Sequence, residues 1–323
     1  MAPSLPFPEL AERFRADLAA LGHARFPLGI AFSGGPDSLA LLLLAAAAFP
    51  GEVHAATVDH QLRSGSADEA ETAAKVCAAL GVPHSILKAD VSSGASVQAH
   101  ARAARYQALG GWMRREGISS LLTAHHLDDQ AETLIMRLLR GGGVAGLASI
   151  RPRRPLAEGG EAAEILRPLL GWRRSQLSEI AAASGFEPAS DPSNADEAFD
   201  RVRIRRLLRE TPWLEAAPLA RSAAALADAE DALEAITSLL APQVIEEGAN
   251  HLLLRAEHLP TELRRRLLLH CIRRFAPEAA PRGDQLTETL LALDEGRAVT
   301  LAGVKLSGGS SGWRIEPAPP RRA

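Results

Sequence analysis

Cysteine and lysine are both scarce in this 323-residue chain. Its 2 cysteines, Cys77 and Cys271, lie far apart and neither sits in a C-x-x-C pair. This argues against a zinc or iron–sulfur site and for a reducing compartment. Lysine occurs only at Lys75, Lys88 and Lys305, so nearly all positive charge is arginine. Arginine suits phosphate recognition, yet the abundant alanine points equally to a compositional drift. No apolar run reaches membrane-spanning length, and the start, Met1-Ala2-Pro3-Ser4, has no basic flank or apolar signal core. The expectation is a cytoplasmic protein with no membrane partner. A net charge of -3 gives no global attraction to nucleic acid, so any basic surface must be local. Apolar content of 46% and charged content of 23% are ordinary for a globular protein. The length predicts two domains.

The organising stretch is Leu28 to Ser38, followed by the apolar run from Leu39 to Ala48. A short apolar segment, two glycines and a Pro-Asp-Ser start to a Leu/Ala stretch predict a buried strand, a tight turn and a helix N-terminus. Gly34 and Gly35 let backbone amides close on an oxyanion, and the first helical turn points its free amides and positive dipole end at the same spot. Ser33 and Ser38 add hydroxyls. The G-x-x-x-x-G-K-[ST] phosphate loop is absent, and Asp37 stands where a lysine would reach the outer phosphates. An acid there makes sense facing a metal ion or a cationic substrate. The plainer alternative is that Ser33 and Asp37 cap a buried helix.

Helical spacing of Leu10, Phe14, Leu18 and Leu21 predicts a helix before the first strand. Strands follow at Glu52 to Val58, His84 to Leu87 and Ile118 to Ala124, separated by helices at Ser66 to Leu80 and about Ala95 to Glu116. Strands alternating with helices predict an α/β fold, a parallel sheet with helices on both faces, which binds ligands at the carboxyl ends of its strands. Ile165 to Leu170 reads as a short edge strand after a Pro/Arg-rich surface excursion, and Arg173 to Ser184 as a helix. A boundary near Thr211-Pro212 separates a catalytic domain of residues 1–212 from a smaller, mainly helical domain of residues 213–323. The latter shows helices at Pro218 to Leu240, Glu262 to Phe275 and Asp284 to Leu293, a short strand at His251 to Leu254 and a closing hairpin. The Arg264-Arg265-Arg266 run reads as a solvated face or a nucleic-acid contact.

The second chemical constellation is Thr123 to Thr133, with His125, His126, Asp128, Asp129 and Glu132. With a helix starting near Asp128, Asp129 and Glu132 share a face and can converge on one cation. A D-x-x-E capping box is the structural alternative. Arg102 and Arg105, three apart on a helix, can face phosphates together or be a solvated face. The glycines of Arg140 to Leu147 suit a closely approached loop or a linker. In Asp200 to Arg206 the arginines are too dense to find partners on one helical face, so some project toward solvent or phosphate.

The S-G-G-x-D-S loop resembles the signature of the N-type ATP pyrophosphatases, the PP-loop superfamily. More specifically, the chain resembles the tRNA(Ile)-lysidine synthetase family, in a short form. The resemblance rests on Ser33 to Ser38, Val58 to Arg63, Ala101 to Tyr106, His125 to Thr133, Gly146-Leu147 and Asp191-Pro192-Ser193-Asn194. It covers nearly all of the first domain and matches the second only loosely. It implies ligation of free L-lysine to C2 of the wobble cytidine of the isoleucine tRNA with a CAU anticodon. ATP first adenylates the cytosine O2 and yields AMP and pyrophosphate overall. It implies that Ser33, Gly34, Gly35, Pro36, Asp37, Ser38 and Val58 hold ATP, with Mg2+ at Asp37. It makes Asp37, His125, Asp129 and Glu132 catalytic, with Arg102, Arg105, Arg201, Arg203 and Arg205 on phosphates. It assigns tRNA contact to the small domain and leaves a homodimer open. Where the family often reads Arg-Asn-Arg-Ile-Arg this chain has Val202, which removes any amide there. Two rivals are a related tRNA-thiolating enzyme, disfavoured by the lack of paired cysteines, and a non-catalytic adenine-nucleotide module, disfavoured by the carboxylate cluster.

Overall fold

The computed structural model describes residues 8–22, 24–59, 66–89, 97–160, 162–189, 200–309 and 311–319. The chain forms two units, one of residues 1–137 and 149–223, the other of residues 138–148 and 224–323.

The first unit alternates helix and strand as its apolar pattern predicts. In order come α1 (Pro8–Ala20), β1 (Leu28–Ala31), α2 (Pro36–Ala48), β2 (Val53–Asp59), α3 (Ser66–Leu80), β3 (His84–Lys88), α4 (Val97–Glu116), β4 (Ser120–Leu122) and α5 (Leu127–Leu138). After α6 (Val144–Leu147) follow β5 (Arg153–Pro155), β6 (Glu164–Leu166), α7 (Arg174–Ala183) and α8 (Asp200–Glu210). The sheet order is β3-β2-β1-β4-β6-β5, parallel except for β5. Side chains of β1 alternate between two apolar layers. Leu28 and Ile30 pack with α1, α2 and Trp172, and Ala31 packs with Tyr106, Leu109 and Trp112 of α4. Helix α2 is apolar on every side and is buried almost throughout, as the central helix of the first layer.

One expectation is corrected. The strand near Ile165 is not the edge: β6 lies between β4 and β5, and all three of its residues are buried. The edge is β5, drawn from the Pro/Arg-rich stretch expected to be a surface excursion, and it runs antiparallel to β6 with Pro155 opposite Glu164. A proline is tolerated there because an edge strand need not donate from every N–H.

The second unit holds most of α9 (Ala216–Val244), then β7 (Ile245–Glu247), β8 (Leu252–Leu254), α10 (Thr261–Phe275), α11 (Gly283–Asp294), β9 (Ala298–Leu301), β10 (Val304–Ser307) and β11 (Trp313–Pro317). Its strands form an antiparallel sheet of order β7-β8-β11-β10-β9, more sheet than the sequence pattern revealed. Leu254, Leu267, Leu268, Cys271, Leu306 and Trp313 fill its core. The arginine run of α10 is half-buried and paired: Arg264 pairs with Asp294, Arg265 with Glu262, and Arg266 with Glu230, Glu234 and Glu262. Cys77 lies buried in the first unit's core and Cys271 in the second's; burial pushes each thiol from 9.0 up to about 12. No helix among the described residues is long and apolar enough to cross a membrane.

Candidate active site

The turn between β1 and α2 is closed by one hydroxyl. Ser38 Oγ accepts from the Ser33 N–H at 3.2 Å, meets Ser33 Oγ at 3.0 Å and donates to the Gly35 carbonyl at 2.9 Å. Ser38 is buried and holds the loop, whereas Ser33 faces out. Gly34 has a φ of 80°, and a Cβ there would stand 3.2 Å from that of Ala189, whose N–H donates to the Gly34 carbonyl at 2.9 Å. The positive φ calls for glycine, and a side chain there would also press on Ala189. The N-cap of α2 is Gly35, with no side-chain cap and with Pro36 at the first helical position. The N-cap is therefore neither Ser33 nor Asp37, and no side chain among the described residues makes a cap hydrogen bond at the N-terminal end of α2. Val58, half-buried near the end of the neighbouring β2, packs against the layer of Ala31 and Tyr106.

Next to β1 in the sheet is β4, and the turn after it carries the acidic residues. Helix α5 begins at Leu127, one residue earlier than the pattern suggested, so the capping box joins His126 to Asp129. The Asp129 N–H donates to His126 Nδ1 at 3.3 Å, and the His126 N–H donates to Asp129 Oδ2 at 3.1 Å. The other ring nitrogen, His126 Nε2, lies 3.5 Å from Asp37 Oδ2 and 3.6 Å from Asp129 Oδ2. His126 thus joins carboxylates from the first turns of two helices, α2 and α5, although only 1% of its side chain is exposed. Burial pulls its pKa down, but the hydrogen bond to Asp37 and the charges of Asp129, Asp37 and Asp128 outweigh this and raise it above 6.5. Asp128 has a separate task. It accepts from the Arg174 N–H at 2.7 Å and pairs with Arg173 at 3.2 Å, fixing the start of α7 to α5.

Glu132 is not part of the capping box. It is buried, and its carboxylate receives Arg205 at 2.8 and 3.2 Å and Arg201 at 3.3 Å. The cations that Glu132 meets are the arginines of α8, whose crowding the sequence made conspicuous; Arg203 of the same helix is exposed. Asp37 Oδ1 is buried with no hydrogen-bond partner among the described residues, which suits a cation. Among those residues no group of three or more His, Cys, Asp or Glu could hold a metal alone. Magnesium normally needs only one or two carboxylates, completed by phosphate oxygens, so Asp37 beside the phosphate cradle fits it.

His125 looks the other way. Its Nδ1 lies 2.9 Å from Thr123 Oγ1. Burial, then the charges of Arg167, Arg105, Arg102 and Arg201, push its pKa well below 6.5, so it is neutral at physiological pH. Arg102, Arg105 and Arg167, with Arg154, also act on Tyr106. The Arg102 guanidinium stands 5.2 Å from the ring centroid and that of Arg154 4.7 Å. Burial pushes the phenol up, but Arg102, Arg105 and a hydrogen bond from Arg154 outweigh it and hold it below 10. Sequence reasoning singled out Arg102 and Arg105 and placed His126 and Tyr106 in its motifs without giving them a role, and it did not reach Arg154 or Arg167. The last two lie on strands β5 and just past β6, which no phosphate motif marks. The segments His60 to Arg63 and Asp191 to Asn194 lie outside the described residues.

The PP-loop domain family matches residues 9–211. A tRNA(Ile)-lysidine synthase of Zymomonas mobilis is 43% identical over 91% of this chain and 89% of its own. One of Novosphingobium aromaticivorans is 43% identical over 97% and 95%. Among solved structures, the U34-tRNA thiolase NcsA of Methanococcus maripaludis, which carries a [4Fe-4S] cluster, superposes with a TM-score of 0.56 at 16% identity, over 68% of this chain and 79% of its own. That likeness concerns the fold, and a cluster needs more thiolates than one buried cysteine per unit. The phosphate cradle, the carboxylates beside it and these matches together place the chain in the PP-loop family and, within it, among the tRNA(Ile)-lysidine synthases.

Proposed function

We propose that the protein ligates L-lysine to C2 of the wobble cytidine of the isoleucine tRNA with a CAU anticodon, converting ATP to AMP and pyrophosphate. The carrying observation is the placement of an uncapped helix N-terminus and a cluster of carboxylates at the ends of adjacent strands, β1 and β4. The amides at the start of α2, with Ser33, hold the ATP phosphates, and Val58 lies on the adenosine side. The cytosine O2 attacks the α phosphorus as the bond to pyrophosphate breaks. The ε-amine of lysine then attacks C2, and the C2–O2 bond breaks to release AMP. Asp37 would hold Mg2+ beside the phosphates, where the ion would neutralise the charge developing on pyrophosphate.

Only a neutral amine is nucleophilic, so a proton must leave the lysine ammonium first. Asp37 and Asp129, tied together through His126, attract the ammonium, and a carboxylate or neutral His125 takes the proton. Glu132 holds Arg201 and Arg205 at the same place. Arg102, Arg105 and Arg203 meet phosphates, and the second unit contributes tRNA contact. These substrates place the reaction in the cytoplasm.

The test incubates the protein with ATP, magnesium, radiolabelled lysine and two transcripts, the isoleucine tRNA and its variant with the wobble cytidine changed to uridine. Label enters only the first. No label in either, with ATP still cleaved to AMP, would move the activity to another nucleophile. Glu132→Gln lowers lysine transfer on the order of 100-fold while leaving ATP affinity intact; normal transfer by this variant would reduce Glu132 to a fold contact.

A further inference from the structure

We propose that Arg102, Arg105, Arg154 and Arg167, gathered round Tyr106, form a binding site for the phosphodiester backbone of the RNA substrate, beside His125. This rests on the tRNA reading above and goes further by separating the RNA side of the site from the ATP side.

Three elements supply the cage: α4 gives Arg102 and Arg105, β5 gives Arg154, and the residue after β6 gives Arg167. Tyr106 is their common floor, with Arg102 and Arg154 over its ring and Arg154 and Arg167 hydrogen-bonded to its side chain. Arg167 is 3% exposed, donates to the Arg151 carbonyl, and keeps a buried Nε with no hydrogen-bond partner among the described residues. Among the described residues, the charges acting most on Arg105 and Arg167 are those of Tyr106 and other arginines, with no carboxylate among them. Desolvated guanidinium groups crowded together are costly unless an anion joins them. The planar forks of arginine match phosphate oxygens in pairs.

The anion is not the triphosphate, because an oxyanion cradle already stands at the end of β1. The cage lies beyond β4, where β6 and β5 form the edge of the sheet. It is graded from buried Arg167 through half-buried Arg105 and Arg154 to exposed Arg102, so it opens to solvent as a continuing polymer backbone requires. The carboxylate of free lysine would satisfy one fork, not four. Backbone contacts of this kind carry no sequence information but fix the register of the strand, here setting the target base against His125.

The chain has 1 tyrosine, so 13Cζ-labelled tyrosine gives a single resonance that reports on the cage. The probes are the anticodon stem-loop of the isoleucine tRNA, inorganic pyrophosphate and L-lysine. The Tyr106 resonance moves on adding the stem-loop and stays in place with pyrophosphate or lysine. Arg154→Gln, on the edge strand, and Arg102→Gln, on the exposed rim, each weaken stem-loop binding about tenfold and reduce the slope of log affinity against log salt by about 1. KM for ATP and for lysine is unchanged in both. A resonance that follows pyrophosphate or lysine instead, or variants that raise KM for ATP and leave RNA affinity intact, would overturn the site. Wild-type protein that binds no stem-loop overturns the tRNA reading and this site with it; wild-type binding with both variants unaltered overturns the site alone.

Discussion

His125 and His126 are covalent neighbours with opposite electrostatic surroundings: arginines face the first and carboxylates the second. Backbone alternation after β4 turns one ring to each side, dividing the site into a cationic half and an anionic half. The sign of each titration follows. A histidine with a depressed pKa resists protonation in the fold, so its contribution to stability is present above 6.5 and fades as pH falls below it. A histidine with a raised pKa contributes fully below 6.5, and that contribution is lost as pH rises through its folded value. In a 15N NMR titration the midpoint of His125 lies well below 6.5 and that of His126 above it; a common midpoint for the two would contradict the division. The sequence showed that this pair mattered, because two histidines and three acids follow a strand. It did not show which ring faces which charge, because Arg154 and Arg167 come from strands distant in the chain, and Glu132 reads the same on paper whether it binds lysine or Arg205.

At the scale of elements, the position of α4 sets the arginine cage. Gly110 of that helix lies so close to the 3-10 turn Ala157–Gly159 that a Cβ would stand 2.3 Å from the Glu158 backbone. Gly110→Ala therefore forces the helix and the turn apart, at about 1–3 kcal/mol. Thermal unfolding of the first unit moves down by about 2–12 °C in calorimetry, and stem-loop affinity falls with it because Arg154 precedes the turn. An unchanged melting temperature would mean that the turn yields freely. Helices and parallel strands of this unit were legible because the 3.6-residue and apolar-run patterns are strong there. The β5 strand was not, since three residues reading Arg-Arg-Pro carry no apolar signal and pair only through tertiary placement. The antiparallel sheet of the second unit was half-legible for the same reason: Ile245 to Glu247 is too short and too acidic to announce a strand.

At the scale of the whole molecule, the chain divides into two units with separate apolar cores, and the expected boundary near Thr211-Pro212 compares with a division inside α9 that also gives residues 138–148 to the second unit. Composition signalled two units through length alone. Chain order could not reveal that a glycine-rich loop from the middle of the sequence groups with the C-terminal part. Each core encloses one thiol, Cys77 in the first and Cys271 in the second, and both are held neutral by burial up to about 12. In the folded protein at pH 8 neither reacts with a thiol reagent, and both do in denaturant. The protein therefore carries its own pair of unfolding clocks. Mass spectrometry of peptides alkylated during slow denaturation reads the two rates independently, and equal rates at every denaturant concentration would mean that the units open as one.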